Sequence, residues 1–190
     1  MASTVTDAEL VAEAKVDQIA FGALYDRYVN QIYNYIYYRV GNHQDAEDLT
    51  ARTFFRALQH ISNYEDRGAP VSAWFYRIAH NLVANWHRDQ GRHPVISLEA
   101  TPLDNFPDSP ETVAEINEER NRLLTVVHRL PADRQELLVL KFTGHMSNAE
   151  IGAIMERTEG AIKSLYHRTL IALRQEFAQL EESRGALEGE

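Results

Sequence analysis

Gly160, Lys163, Ser164, His167 and Arg168 recur at steps of three and four residues, so on a helix they line one side. Two cations, a hydroxyl and an imidazole on one face suit a polyanion with readable edges. The ammonium and guanidinium groups meet phosphates, and the short polar groups reach base edges in a major groove. Gly160 leaves room for close backbone approach. The same row also fits the solvated face of an ordinary amphipathic helix.

A second constellation lies upstream. The loop Asn63-Tyr64-Glu65-Asp66-Arg67-Gly68 precedes Trp74-Phe75-Tyr76-Arg77-Ile78-Ala79-His80-Asn81. Aromatics interleaved with basic and amide groups can stack on and hydrogen-bond unstacked bases. Trp74, Ile78 and Leu82 also have the spacing of a helix core. A third feature is Asp45-Ala46-Glu47-Asp48-Leu49, three acids in one turn. This is ordinary helix-start chemistry, because the dipole favours anions there, and equally a surface contact for a basic partner. His80, His87 and His93 could be imagined as metal ligands. His80 and His87 are two helical turns apart, roughly 10 Å by rise, too far to share one ion. No catalytic motif is present. The expectation is no catalytic residue, no metal and no cofactor.

Helices must position these groups. Thr6 and Glu9 make a capping box that opens a first helix. Phe21, Leu24, Tyr28, Ile32, Tyr35, Ile36 and Val40 set a second, from about Asp17 to Val40, ended by Gly41-Asn42. A third is expected from about Asp45 to Ile61, with Leu49, Phe54 (or Phe55), Leu58 and Ile61 inward, and a fourth over Val71–Asp89. Gly91–Pro110 holds four prolines and no periodicity, which marks an extended or mobile linker. Helix resumes from about Thr112 to Leu130. Pro131 opens the next, which carries Leu137, Leu138 and Leu140 and stops at Gly144. Ser147 and Glu150 form a second capping box, over a short helix burying Ile151 and Ile154. After a tight turn, Thr158 caps a long helix to about Leu180, with Ile162, Leu165 (or Tyr166), Leu170, Leu173 and Phe177 inward. Residues 147–175 thus read as a helix-turn-helix. No strand pattern or internal repeat is found, so the expected fold is all-α, two small helical domains on a linker.

The chain has 190 residues, 44% hydrophobic and 25% charged, within the range of soluble globular proteins. It has no cysteine, which excludes disulfides and thiol catalysis and fits a cytoplasmic setting. No apolar run approaches the roughly 20 residues of a membrane span, and Met1–Glu9 lacks signal-peptide character. The net charge is −9, unusual for a nucleic-acid partner. It is unevenly spread: Ser97–Glu119 carries −7 and Glu176–Glu190 carries −4, leaving +2 elsewhere.

Taken together, these residues resemble a known family. Asp45-Ala46-Glu47-Asp48-Leu49, Phe54 and Ser72–Asn81 resemble region 2 of the extracytoplasmic-function (ECF) sigma factors of bacterial RNA polymerase. Leu130-Pro131, Glu150-Ile151-Gly152, Thr158–Ser164, His167-Arg168 and Ala172-Leu173-Arg174 resemble region 4. The resemblance implies a promoter-specificity subunit, not an enzyme, with core RNA polymerase, promoter DNA and an anti-sigma factor as partners and no membrane insertion. Residues 1–90 would be region 2, 91–117 an acidic linker, 118–180 region 4 and 181–190 an acidic tail. Asp45, Glu47, Asp48 and Leu49 would dock on the β′ clamp helices. Asn63, Tyr64, Arg67, Trp74, Arg77 and Asn81 would hold the −10 strand. Region 4 would sit on the β flap and read the −35 duplex through Gly160, Lys163, Ser164, His167 and Arg168. The chain departs from the family's common pattern at Ala51-Arg52, where Gln-Glu is frequent, and at Leu165 and Leu170, where Arg is frequent. A stand-alone helix-turn-helix regulator is the alternative.

Overall fold

The computed structural model describes residues 5–66, 68–90, 118–119, 121–123 and 125–188. The expected linker and Arg67 therefore lie outside the described residues.

Helices begin where the sequence supplies caps. The Thr6 hydroxyl accepts from the Glu9 amide, and the Thr6 amide donates back to the Glu9 carboxylate at 2.7 Å, opening α1, Asp7–Val16. A 3₁₀ turn at Gln18–Ala20 leads into α2, Phe21–Val40. Gly41, at φ 78°, ends α2 and donates to the Tyr37 carbonyl. α3 spans His43–His60, two residues earlier than Asp45, because Asn42 is its cap. The Asp45 amide donates to Asn42 Oδ1 at 2.8 Å, and the Asn42 amide group donates to Asp45 Oδ2 at 2.7 Å. α4 spans Val71–Gln90.

In the C-terminal half, residues 121–123 and 125–128 are helical. Pro131 stands just outside α5, Ala132–Phe142, as its N-cap. The Ser147–Glu150 box opens α6, Asn148–Ile154. Thr158 Oγ1 accepts from the Ala161 amide at the start of α7, Glu159–Glu188, which runs past the expected end at Leu180. No strand occurs among the described residues, and the fold is all-α.

The inward stripes pack as helical spacing requires. Leu24, Ile32, Tyr35 and Ile36 of α2 meet Ala46, Leu49 and Phe54 of α3 and Phe75, Ala79 and Leu82 of α4, all buried. Asp7 ties α1 to α2 through the Arg27 guanidinium at 2.6 Å and the Tyr28 hydroxyl. Leu137, Leu140, Ile151, Ile154 and Ile162 continue the core without a break. The two helical groups expected on either side of a linker thus pack against each other: α5 lies on α2, and α6 on α4.

The turn between α6 and α7 is the tightest point. A methyl added at Gly152 would lie 2.6 Å from the Arg157 carbonyl oxygen, whose own amide donates to the Gly152 carbonyl. Glu156 holds φ 56° there, a left-handed conformation that costs a non-glycine residue about 1 kcal/mol. Gly152→Ala is expected to lower the unfolding free energy by about 1–3 kcal/mol. At Gly22 a methyl meets nothing within 4 Å, and Gly22→Ala should be neutral or stabilising by up to about 1 kcal/mol. Urea denaturation of the two variants measures the contrast.

Candidate nucleic-acid interface

α7 displays the five expected residues as one exposed row: Gly160, Lys163, Ser164, His167 and Arg168 all face solvent. The row faces outward because Ile162, Leu165 and Thr169 occupy the opposite side and are buried. Leu165 rather than Tyr166 takes the core position, so it leaves no gap in the exposed row. Leu170, expected inward, is 42% exposed. Thr169 takes the core position instead, its hydroxyl satisfied by the Leu165 carbonyl at 2.8 Å. Lys163 pairs with Glu159 at 2.7 Å, both exposed. Such an i,i+4 pair contributes only about 0.3–0.5 kcal/mol and yields readily to a phosphate.

The upstream constellation also assembles. The Tyr64 ring lies 5.0 Å from Trp74, and Trp74 lies 5.3 Å from Phe75. Trp74 is half-buried, so it braces the core and still presents an edge. Asn63, Tyr64, Trp74 and Arg77 line an open cavity of about 380 Å³, closed on one side by Ala153 of α6. Arg77 and Asn81 are exposed one turn apart on α4; Asn81 does not line the cavity. Lys15 of α1, not expected here, holds its ammonium 5.9 Å from the Tyr64 ring centre.

The acidic cluster divides. Asp45 is half-buried and engaged in the Asn42 cap. Glu47 and Asp48 are exposed. Leu49, expected inward by its spacing and at a polymerase contact by the resemblance, is 1% exposed: the stripe of Ala46, Leu49, Thr53 and Phe54 turns it into the core. The apolar group on the outer face is Phe55, 61% exposed, one turn beyond Arg52, which itself pairs with Asp48 at 3.5 Å. Phe54-Phe55 left the inward choice open in the sequence. Continuing the Asp48–Arg52 row by three residues picks out Phe55 as the outward one.

Sequence reasoning missed the contacts joining the two halves. Glu136 of α5 is buried against α2 and α4. It accepts from the Tyr35 hydroxyl at 2.8 Å, lies 2.5 Å from His80 Nδ1 and 3.2 Å from the Arg39 guanidinium. The partners lie 101, 97 and 56 residues away in sequence, and a glutamate on a leucine-rich helix gives no local sign of them. Burial alone would push the Glu136 carboxyl up. The His80 hydrogen bond, the Arg39 charge and the Tyr35 hydroxyl outweigh it and hold it at about 2. Burial, then the Arg39 charge, push His87 down to about 4. Nearby, Arg77 and Glu156 pair at 3.3 Å across the halves in full view of solvent.

Comparison with known proteins fits this geometry. Residues 24–93 match the family model for Sigma-70 region 2, and residues 120–173 the one for Sigma-70, region 4. The chain is 40% identical over 167 residues to the ECF RNA polymerase sigma factor BldN of Streptomyces coelicolor, covering 87% of this chain and 63% of that protein. It is 30% identical over 175 residues to the ECF RNA polymerase sigma factor SigW of Bacillus subtilis, covering 87% of this chain and 93% of that one. The sigma factor RpoE in its co-crystal structure with the anti-sigma factor NepR, from Bartonella quintana, shares the fold with a TM-score of 0.64 at 20% identity, over 83% of this chain and 96% of that one. The fold and both matched regions define a member of the sigma-70 family. Within it, the chain belongs to the ECF sigma factors. It spans just under two thirds of the length of the Streptomyces relative.

The buried groups predict a pH response. His87 is held neutral in the fold, so its contribution to stability is complete above the ordinary histidine value of 6.5 and is lost as pH falls towards 4. Glu136 adds a second loss between 4.5 and about 2. The melting temperature should therefore fall on acidification from pH 7 to 4.5, and His87→Leu should flatten that fall. An unchanged slope in the variant would contradict the assignment.

Proposed function

We propose that the chain is a promoter-specificity subunit of bacterial RNA polymerase that performs no reaction itself. The observation that carries this reading is the exposed row Gly160–Arg168 on the second helix of the helix-turn-helix, backed by a buried stripe. That row suits the −35 duplex. Its cations meet phosphates, and Ser164 and His167 reach base edges. Tyr64, Trp74, Arg77 and Asn81, with Asn63 and Arg67 from the loop, suit the melted −10 strand, because aromatic faces stack on any unpaired base.

Core polymerase is the partner that makes this work. Glu47, Asp48 and Phe55 form the surface proposed for the β′ clamp helices: an exposed aromatic among charges is a typical binding anchor. Leu138, Phe142 and Leu173 line an apolar groove of about 310 Å³ proposed for the β flap. Region 2 is assigned to residues 1–90, the linker to 91–117 and region 4 to 118–180, in the cytoplasm. No described helix is long and apolar enough to cross a membrane. An anti-sigma factor fits the same reading, since the sigma factor RpoE, whose fold the chain shares, is seen in complex with one.

A net charge of −9 weakens attraction to DNA. The isolated chain should therefore show no tight duplex binding in a gel shift at physiological salt, and promoter binding should appear only with core polymerase. Tight binding by the chain alone would favour a stand-alone regulator. Phe55→Ala should weaken core-polymerase affinity about tenfold while shifting stability by less than about 0.5 kcal/mol. Lys163→Ala and Arg168→Ala should each lower initiation that depends on the −35 element, by about tenfold for a lost base or phosphate contact. Asn81→Ala should change −10 preference. Run-off transcription from a promoter accepted by the unmodified chain reads all three effects.

A further inference from the structure

We propose that the cavity between α1 and residues 64–71 is a second subsite for the unpaired strand: it takes one base that carries an exocyclic amino group, with Lys15 on the phosphate beside it. The inference rests on the reading of the chain as a promoter-specificity subunit, and it extends the site assigned to Tyr64, Trp74, Arg77 and Asn81.

The cavity measures about 420 Å³. Tyr64, Ala69 and Pro70 line it and also line the cavity that holds Trp74 and Arg77, so the two share one wall. The Tyr64 ring meets Trp74 of the first cavity at 5.0 Å and the Lys15 ammonium of the second at 5.9 Å. A strand crossing this wall can place neighbouring bases on either side of it, each against an aromatic ring that stacks on any base. Ala8, Val11, Ala12 and Lys15 recur at three and four residues along α1 and form the opposite face. Val11 is buried, and the exposed Ala8 and Ala12 leave that face flat and free of long side chains, as a planar ring requires. The face is also fixed. Arg27 grips Asp7 at 2.6 Å and the Val5 carbonyl at 2.7 Å, while Leu10, Val11 and Ala14 are buried.

Three charged side chains line the cavity: Asp7, Lys15 and Asp66. The Arg27 ion pair offsets the charge of Asp7, which would otherwise repel a phosphate. Asp66 supplies the reading group. Its Oδ1 accepts from the Gly68 amide at 2.8 Å, which orients the carboxylate, and a carboxylate keeps further lone pairs for a ligand. The amino group of cytosine or adenine donates to such an acceptor, whereas thymine turns its O4 towards it. Burial, then the Asp66 charge and then that of Asp7, push the Tyr64 hydroxyl up, in keeping with both carboxylates lying near the shared wall. Lys15 is the only cation among the described lining residues, and it stands exposed in the last turn of α1. A cation beside an aromatic that stacks a base is placed for that nucleotide's phosphate.

The test has two arms, both on the full chain. In the first, open-complex formation with core polymerase is measured on promoters in which each base of the melted −10 segment is changed in turn. Asp66→Asn keeps the acceptor for the Gly68 amide and adds an N–H donor. It should relax the preference against thymine about tenfold at one position, distinct from the position that Asn81 governs. Ala12→Trp fills the cavity and should flatten the base preference at that same position. Lys15→Met keeps the stem without the charge. It should weaken promoter binding about equally for all sequences and lower the slope of log affinity against log salt by about one. The second arm needs no polymerase: amide NMR of the chain titrated with short single-stranded oligo-dC, oligo-dA and oligo-dT. The Ala12, Lys15 and Ala69 signals should shift, more with oligo-dC or oligo-dA than with oligo-dT. Where a promoter opens, the first arm decides, and a base preference left unaltered by Asp66→Asn overturns the subsite even if Lys15→Met weakens binding. Where no promoter opens, the promoter assignment falls and the second arm decides: selective shifts at Ala12 and Lys15 keep the subsite, and their absence overturns it.

Discussion

The carboxylate of Glu136 lies nearly out of reach of water, between two helical halves, and three polar partners keep it charged against the effect of burial. Tyr35 and Arg39 come from one helix, His80 from another, and the buried leucines of α5 flank Glu136 in sequence. A carboxylate buried without partners would take up a proton or force water in. Here three partners converge, and their convergence sets how the halves meet. Beside this contact α6 packs directly on α4, and Ala153 adds a wall to the aromatic cavity.

The surfaces assigned to DNA depend on the same core from its other side. Gly160, Lys163, Ser164, His167 and Arg168 point outward because Ile162, Leu165 and Thr169 are fixed inward. Trp74 can offer an edge because Phe75 and Tyr64 hold its ring. Phe55 stands in solvent because Phe54 and Leu49 take the inward positions on α3. In each case the apolar stripe decides which side chains stand free at the surface.

Much of this was legible in the residues. Capping boxes at Thr6–Glu9 and Ser147–Glu150, the Gly41 stop and the Thr158 cap are local chemistry, and they set helix ends with little help from tertiary structure. The outward row on α7 was legible for the same reason, since a period of three and four residues carries it. What failed needed neighbours. Leu49 is inward by its helical spacing and a contact only by the resemblance; its burial follows the spacing, since the one-residue step from exposed Asp48 turns about 100° into the core. Leu170 looked apolar enough for the core, but Thr169, its hydroxyl satisfied by its own backbone, fits the inward register better. Asp45 is one of three helix-start acids in the sequence, and only the Asn42 cap, one turn earlier, separates it from exposed Glu47 and Asp48. The Glu136 cluster was invisible because its members are scattered through the chain and only the packing of the halves assembles them.

The central claim is that this chain confers promoter choice on a polymerase that lacks it. Run-off transcription by core RNA polymerase over a randomised promoter library, with and without the full chain, tests it most directly. The account predicts that adding the chain creates a set of start sites sharing two upstream sequence blocks at fixed spacing. Start sites no different from those of core polymerase alone would contradict it.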